Sequence, residues 1–165
     1  MAVCHSSGPA MGPSRSIVIA AGGGRDLAWP HQRVAAELLA RSGGRLVHLL
    51  LHGGARGADA AISRAAHQLG WPAHALPAEW RRHGRAAGPI RNRQLLELAI
   101  TQAEACSTAG SLVSVLVVAF PGGAGTASLV QQARRMASRA PVPITVVEVS
   151  PSAGRWADPA AASCL

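Results

Sequence analysis

Pro121-Gly122-Gly123-Ala124-Gly125-Thr126 follows directly on the apolar, β-branched run Val113–Phe120 and precedes Leu129, Val130, Ala133 and Met136, which are spaced to cover one helix face. Glycines at such a junction leave main-chain N–H groups uncovered, and a helix N-terminus adds partial positive charge. Strand, glycine turn and helix therefore suit a phosphate or carboxylate. Three more clusters share this character: Gly22-Gly23-Gly24-Arg25-Asp26, His52-Gly53-Gly54-Ala55-Arg56-Gly57-Ala58-Asp59 and Gly88-Pro89-Ile90-Arg91-Asn92-Arg93. A tight strand-to-helix connection also needs glycine, so one cluster alone says little. Several at one edge, each of these three carrying arginine, point to an anionic, nucleotide-like ligand. In that arrangement the amides of Gly122, Gly123, Gly125 and Thr126 hold a phosphate and the Thr126 hydroxyl adds a donor. Arg91 neutralises the charge, Arg25 or Arg56 meets a second phosphate or the ribose, and Asn92 and Asp59 fix sugar hydroxyls or the loops themselves.

The elements that must position these residues are legible from periodicity. Strands are expected at Ser16–Ala21, Leu46–His52, Ala73–Leu76, Val113–Phe120 and Pro143–Val149. Helices are expected at Trp29–Arg41 through Val34, Leu38 and Leu39, and at Gly57–Leu69 through Ile62, Ala65 and Ala66, with Gly70 as C-cap. Two more are expected at Arg91–Ala105 through Leu95, Leu96, Ala99, Ile100 and Ala103, and at Thr126–Ser138. Strands alternating with helices imply an α/β three-layer sandwich with a mostly parallel sheet of about five strands. Ligands of such sheets sit at the carboxyl ends of the strands, where every glycine cluster falls. Pro77–Ile90 is expected to be a long basic loop, with Trp80 to Gly88 covering a base as a lid. Residues 1–15 are expected to form a flexible leader, 16–149 the single domain, and 150–165 a loose tail.

Composition narrows the chemistry. All 16 basic residues are arginine, so a Walker-type P-loop and lysine Schiff-base chemistry are excluded. A formal net charge of +8 favours anionic partners, a phosphorylated small molecule or nucleic acid. The 3 cysteines, Cys4, Cys106 and Cys164, have no metal-ligand spacing. His48 and His52 are expected on one strand face without a third ligand, so no metal is expected, and His52 is a candidate to face the ligand. No required cofactor is expected. There is no signal-type segment and no apolar run long enough to span a bilayer, so a cytoplasmic protein with no membrane partner is expected.

The motifs Gly-Gly-Ala-Arg-Gly-Ala-Asp (53–59), Gly-Pro-Ile-Arg-Asn-Arg (88–93) and Phe-Pro-Gly-Gly-x-Gly-Thr (120–126), in this order, resemble the SLOG superfamily of Rossmann-like domains, most closely its YspA type (cpYpsA-related). The resemblance implies a nucleotide or nucleotide-derived ligand in a sensor or carrier-type domain, and relatives make a homodimer plausible. Two branches supply alternatives. Lonely Guy phosphoribohydrolases cleave the N-glycosidic bond of nucleoside monophosphates and carry a similar Pro-Gly-Gly turn, with a catalytic glutamate and an arginine from the preceding helix. Arg91 or Arg93 matches that arginine, but the glutamate position holds Leu129, which can neither stabilise an oxocarbenium-like centre nor handle a proton. The DNA-processing protein A (Smf) family binds single-stranded DNA, and Ala55–Ala61 and Arg91–Arg93 are similar to its segments. Against nucleic acid as partner stand 0 tyrosines and 1 phenylalanine, because base stacking needs aromatic platforms and Trp80 beside Arg81 and Arg82 is the sole such cluster.

Overall fold

The computed structural model describes residues 16–152; the expected leader at 1–15, the tail beyond Ser152, Cys4 and Cys164 lie outside the described residues. Five strands, β1 (Ser16–Gly22), β2 (Leu46–His52), β3 (Ala73–Ala75), β4 (Val113–Ala119) and β5 (Ile144–Glu148), form one sheet in the order β3-β2-β1-β4-β5. Every neighbouring pair is parallel. β1 and β4 are buried along their whole length, which is why both read as unbroken apolar runs rather than as alternating patterns.

Helices α1 (His31–Ser42) and α2 (Ala58–Gln68) cover one face of the sheet; α4 (Ala87–Cys106) and α5 (Ala124–Ala137) cover the other. Strand alternation sorts the core accordingly. Ile17, Ile19, Leu50, Leu116 and Val118 meet Val34, Leu38, Ile62 and Ala65 on the first face. Val18, Ala20, Leu51, Val115 and Val117 meet Leu95, Leu96, Ala99, Leu129 and Ala133 on the second. Alanine recurs at the helix contacts, so α1, α2, α4 and α5 can pack closely on the sheet. The expected α/β sandwich is thus present, with a wholly parallel sheet.

Three local expectations are corrected. Leu39, counted with Val34 and Leu38 in the helical spacing of α1, is 53% exposed, because the buried stripe runs through Val34, Ala35, Leu38 and Ser42 and leaves Leu39 about one-quarter turn away. The segment expected to be a loop to Ile90 contains a single helical turn, α3 (Trp80–His83), and a 3-10 turn at Gly84–Ala86, and α4 begins at Ala87. Pro89 therefore sits in the first helical turn, where its missing N–H costs no intrahelical bond, and Gly88 before it has no Cβ to clash with the proline ring. Finally, the β1–β2 pairing steps from Ile17↔Val47 to Val18↔Leu49, skipping His48. That irregularity breaks the simple alternation between His48 and His52.

Candidate functional site

The strand order reverses between β1 and β4: β2 lies beyond one and β5 beyond the other. At the carboxyl end of this pair lies a cleft of about 340 Å³. Of the residues expected there, Gly22, Gly23, Gly24, Arg25, Asp59, Arg91, Asn92, Gly123, Gly125 and Thr126 line it. The remainder do not. Gly53 is buried behind the lining, Pro121 is half-buried, Gly54 and Gly122 are exposed outside it, Arg93 is exposed on α4, and Arg56 is a surface residue paired with Asp26 at 3.3 Å. Trp80 and Gly88, the two ends of the expected lid, do line the cleft. Ala55 and Leu129 also contribute. Ala55 carried no sequence signal beyond its place between two glycine turns, and Leu129 was expected on the core-facing side of its helix.

The two glycine turns at the switch point are stitched together by main chain. Gly24 N donates to Pro121 O at 2.9 Å, and Gly24 O accepts from Ala58 N at 3.0 Å, so the start of α2 is sealed by the turn after β1. A Cβ on Gly122 would lie 2.5 Å from Gly24 N and would also strike the Thr126 hydroxyl, so this approach requires glycine. The N-terminus of α5 is different. Its N-cap residue Gly123 makes no side-chain capping bond, and Ala127 N already uses Gly123 O. Helix geometry leaves the amides of Ala124, Gly125 and Thr126 without intrahelical acceptors at the cleft. The Thr126 Oγ1 atom is buried and makes no hydrogen bond among the described residues, an unusual cost for a polar atom.

Arg91 is held from several sides. Its Nε donates to Asn92 Oδ1 at 3.1 Å, and Nη1 lies 3.6 Å from Asp59 Oδ2. Its side chain is only 19% exposed. Asn92, buried beside it, donates through Nδ2 to Gly125 O at 3.0 Å and so ties the start of α4 to the turn that opens α5. Asp59 also accepts from Ala55 N at 3.1 Å. The guanidinium is thereby fixed before any ligand arrives.

His52 does not line the cleft and is corrected in that role. It is buried behind the site, and its Nδ1 accepts from Gly54 N at 3.1 Å. Burial pushes its pKa below 6.5; the Asp59 carboxylate works in the opposite direction, while the charges of Arg91 and His74 lower it further. The neutral ring therefore serves as a fixed acceptor for the second glycine turn. Among the described residues no group of three or more His, Cys, Asp or Glu gathers to hold a metal ion, and no helix is long and apolar enough to cross a membrane.

A parallel sheet in this order, with helices on both faces and a cleft at the switch point, defines a Rossmann-like domain. Residues 17–83 match the YspA, cpYpsA-related SLOG family (YAcAr), and over that stretch the YspA-type assignment drawn from the motifs holds. The motifs around Arg91 and Pro121–Thr126 lie beyond the matched stretch. No curated protein and no solved structure is significantly similar to the chain.

Proposed function

We propose that the cleft binds a nucleotide or nucleotide-derived phosphorylated ligand, as in a sensor or carrier-type domain. The observation that carries this is the meeting, in one cleft, of the uncapped α5 N-terminus, the unpartnered Thr126 hydroxyl and the prefixed Arg91 guanidinium. All three present hydrogen-bond donors, and the helix N-terminus and the guanidinium add positive charge, which suits a phosphate group. Membership of the SLOG family over residues 17–83 favours a nucleotide-related ligand over a simple anion.

Hydrolysis of a nucleoside monophosphate is the competing function. It needs a carboxylate free to act, and among the described residues Asp59 is the one acid lining the cleft. Its Oδ2 already accepts from Ala55 N and faces Arg91, while Leu129, at the position of the family's catalytic glutamate, is 4% exposed and packed in the core. These contacts favour binding over turnover.

A thermal-shift screen against nucleoside mono- and diphosphates and ADP-ribose-like compounds tests the proposal. A stabilising compound should lose affinity in Arg91→Lys, which keeps the charge but not the fork. Release of free base from any nucleoside monophosphate would show that the protein is an enzyme. A mobility shift with single-stranded DNA that weakens steeply as salt rises would replace the small-molecule assignment by a nucleic-acid one.

A further inference from the structure

Trp80 is a large apolar side chain left 47% exposed at the cleft. Other aromatic rings among the described residues have structural work: Trp29 and Phe120 form an edge-to-face pair at 6.2 Å, and Trp71 packs on the same core. Trp80 opens α3, whose turn is braced by Glu79, 3.6 Å from Arg82 and 3.5 Å from His83. Its Cη2 lies 3.6 Å from where a Cβ of Gly88 would stand, so the indole edge rests near bare backbone in the first turn of α4. Over the indole face sits the Arg25 guanidinium, with its central carbon 4.5 Å from the ring centroid. Arg25 also lines the cleft. Its side chain makes no hydrogen bond or ion pair among the described residues, so the indole is what holds it.

We infer that Trp80 selects the ligand's aromatic base: a planar base stacks on the indole in the place the Arg25 guanidinium occupies, and the displaced arginine turns its charge to the ligand. This rests on the cleft assignment above and deepens it. At 4.5 Å no ring fits between Arg25 and Trp80, so stacking on that face must displace the arginine. A guanidinium is itself a flat, weakly hydrated group that stacks on aromatic faces, which makes it an effective placeholder for a base. The ligand class selected is then a phosphate joined to an aromatic base, in preference to a sugar phosphate.

Calorimetric titration of the full chain with AMP, GMP, CMP, UMP and ribose 5-phosphate tests this. At least one nucleotide should bind about ten- to hundred-fold more tightly than ribose 5-phosphate, the range expected for one stacked base. Trp80→Ala should abolish that preference, bringing the nucleotide to the value of ribose 5-phosphate in the same variant. Trp80→Phe should keep most of the preference and guards against a folding effect of the smaller residue. Equal binding of nucleotides and ribose 5-phosphate, or a preference that survives in Trp80→Ala, would overturn the role of Trp80 while leaving the cleft assignment standing. Failure of all five compounds, and of the diphosphates and ADP-ribose-like compounds of the thermal-shift screen, to bind would overturn the cleft assignment and this inference with it.

Discussion

Gly53 and Arg91 are packed so closely that a Cβ on the first would overlap the guanidinium of the second, and would lie 2.6 Å from Asp59 Oδ2. Both obstacles are tips of side chains rather than backbone. Gly53→Ala should therefore fold, at a cost of about 1–3 kcal/mol for overpacking, while pushing Arg91 out of its place between Asn92 and Asp59. Binding of a stabilising nucleotide should weaken about ten- to hundred-fold, the range for one charged hydrogen-bonding contact. Unchanged affinity in a folded Gly53→Ala protein would remove Arg91 from the site.

Gly57 gives the opposite case. Its φ is +73°, and a Cβ would run into the main chain, with Gly24 O at 2.7 Å and the Arg25 carbonyl closer still. Backbone cannot swing aside as a guanidinium can. Gly57→Ala should cost about 2 kcal/mol or more, adding conformational strain to overlap, and should lower the melting temperature by several degrees. Chemical denaturation of Gly53→Ala and Gly57→Ala side by side measures the contrast, and an equal loss in both would contradict it.

His52 should make stability depend on pH in one direction. Its folded pKa lies below 6.5, chiefly through burial, so the unfolded chain takes up the proton first as pH falls. This contribution is complete above about pH 6.5, is lost as pH falls below it, and stops changing once pH passes the folded pKa. Protonation also turns Nδ1 into a donor facing Gly54 N, which itself donates. Urea midpoints at about pH 7.5 and about pH 5.5 should differ more for the wild type than for His52→Asn, whose amide oxygen accepts without titrating. Equal differences would assign the pH dependence to other groups.

The strands and the glycine turns were legible because both are local: apolar runs mark strands such as β1 and β4, and Gly22–Gly24 and Gly122–Gly125 mark their ends. Their meeting at one edge followed from the parallel topology. The sequence did not reveal which residues stand behind the lining. Gly53 serves the site by making room for Arg91, and Asn92 by bridging to Gly125 O. Such roles depend on atoms brought together by different elements, and no spacing along the chain encodes them. Arg56 illustrates the converse: it lies in a motif with Asp59, yet a helix start that turns Asp59 inward leaves Arg56 at the surface with Asp26. The early start of α4 was hidden by Pro89, whose usual meaning as a helix breaker lapses in a first turn.

Asp59 both positions and opposes Arg91, and one substitution separates the two effects. The carboxylate lies 3.6 Å from Nη1 and offsets much of the positive charge that a phosphate would meet. Arg91 keeps two other restraints, the bond to Asn92 Oδ1 and the close packing on Gly53, so its place does not depend on Asp59 alone. Asp59→Asn should therefore tighten binding of inorganic phosphate and of a stabilising nucleotide by several-fold, with a steeper fall as salt rises. It should also cost about 1–2 kcal/mol of stability, because the first turn of α2 loses its favourable charge and the bond from Ala55 N loses its ionic character. Tighter binding together with lower stability is the signature of a charge held in balance. Weaker binding in a folded Asp59→Asn protein would show instead that the carboxylate is what holds Arg91 in place.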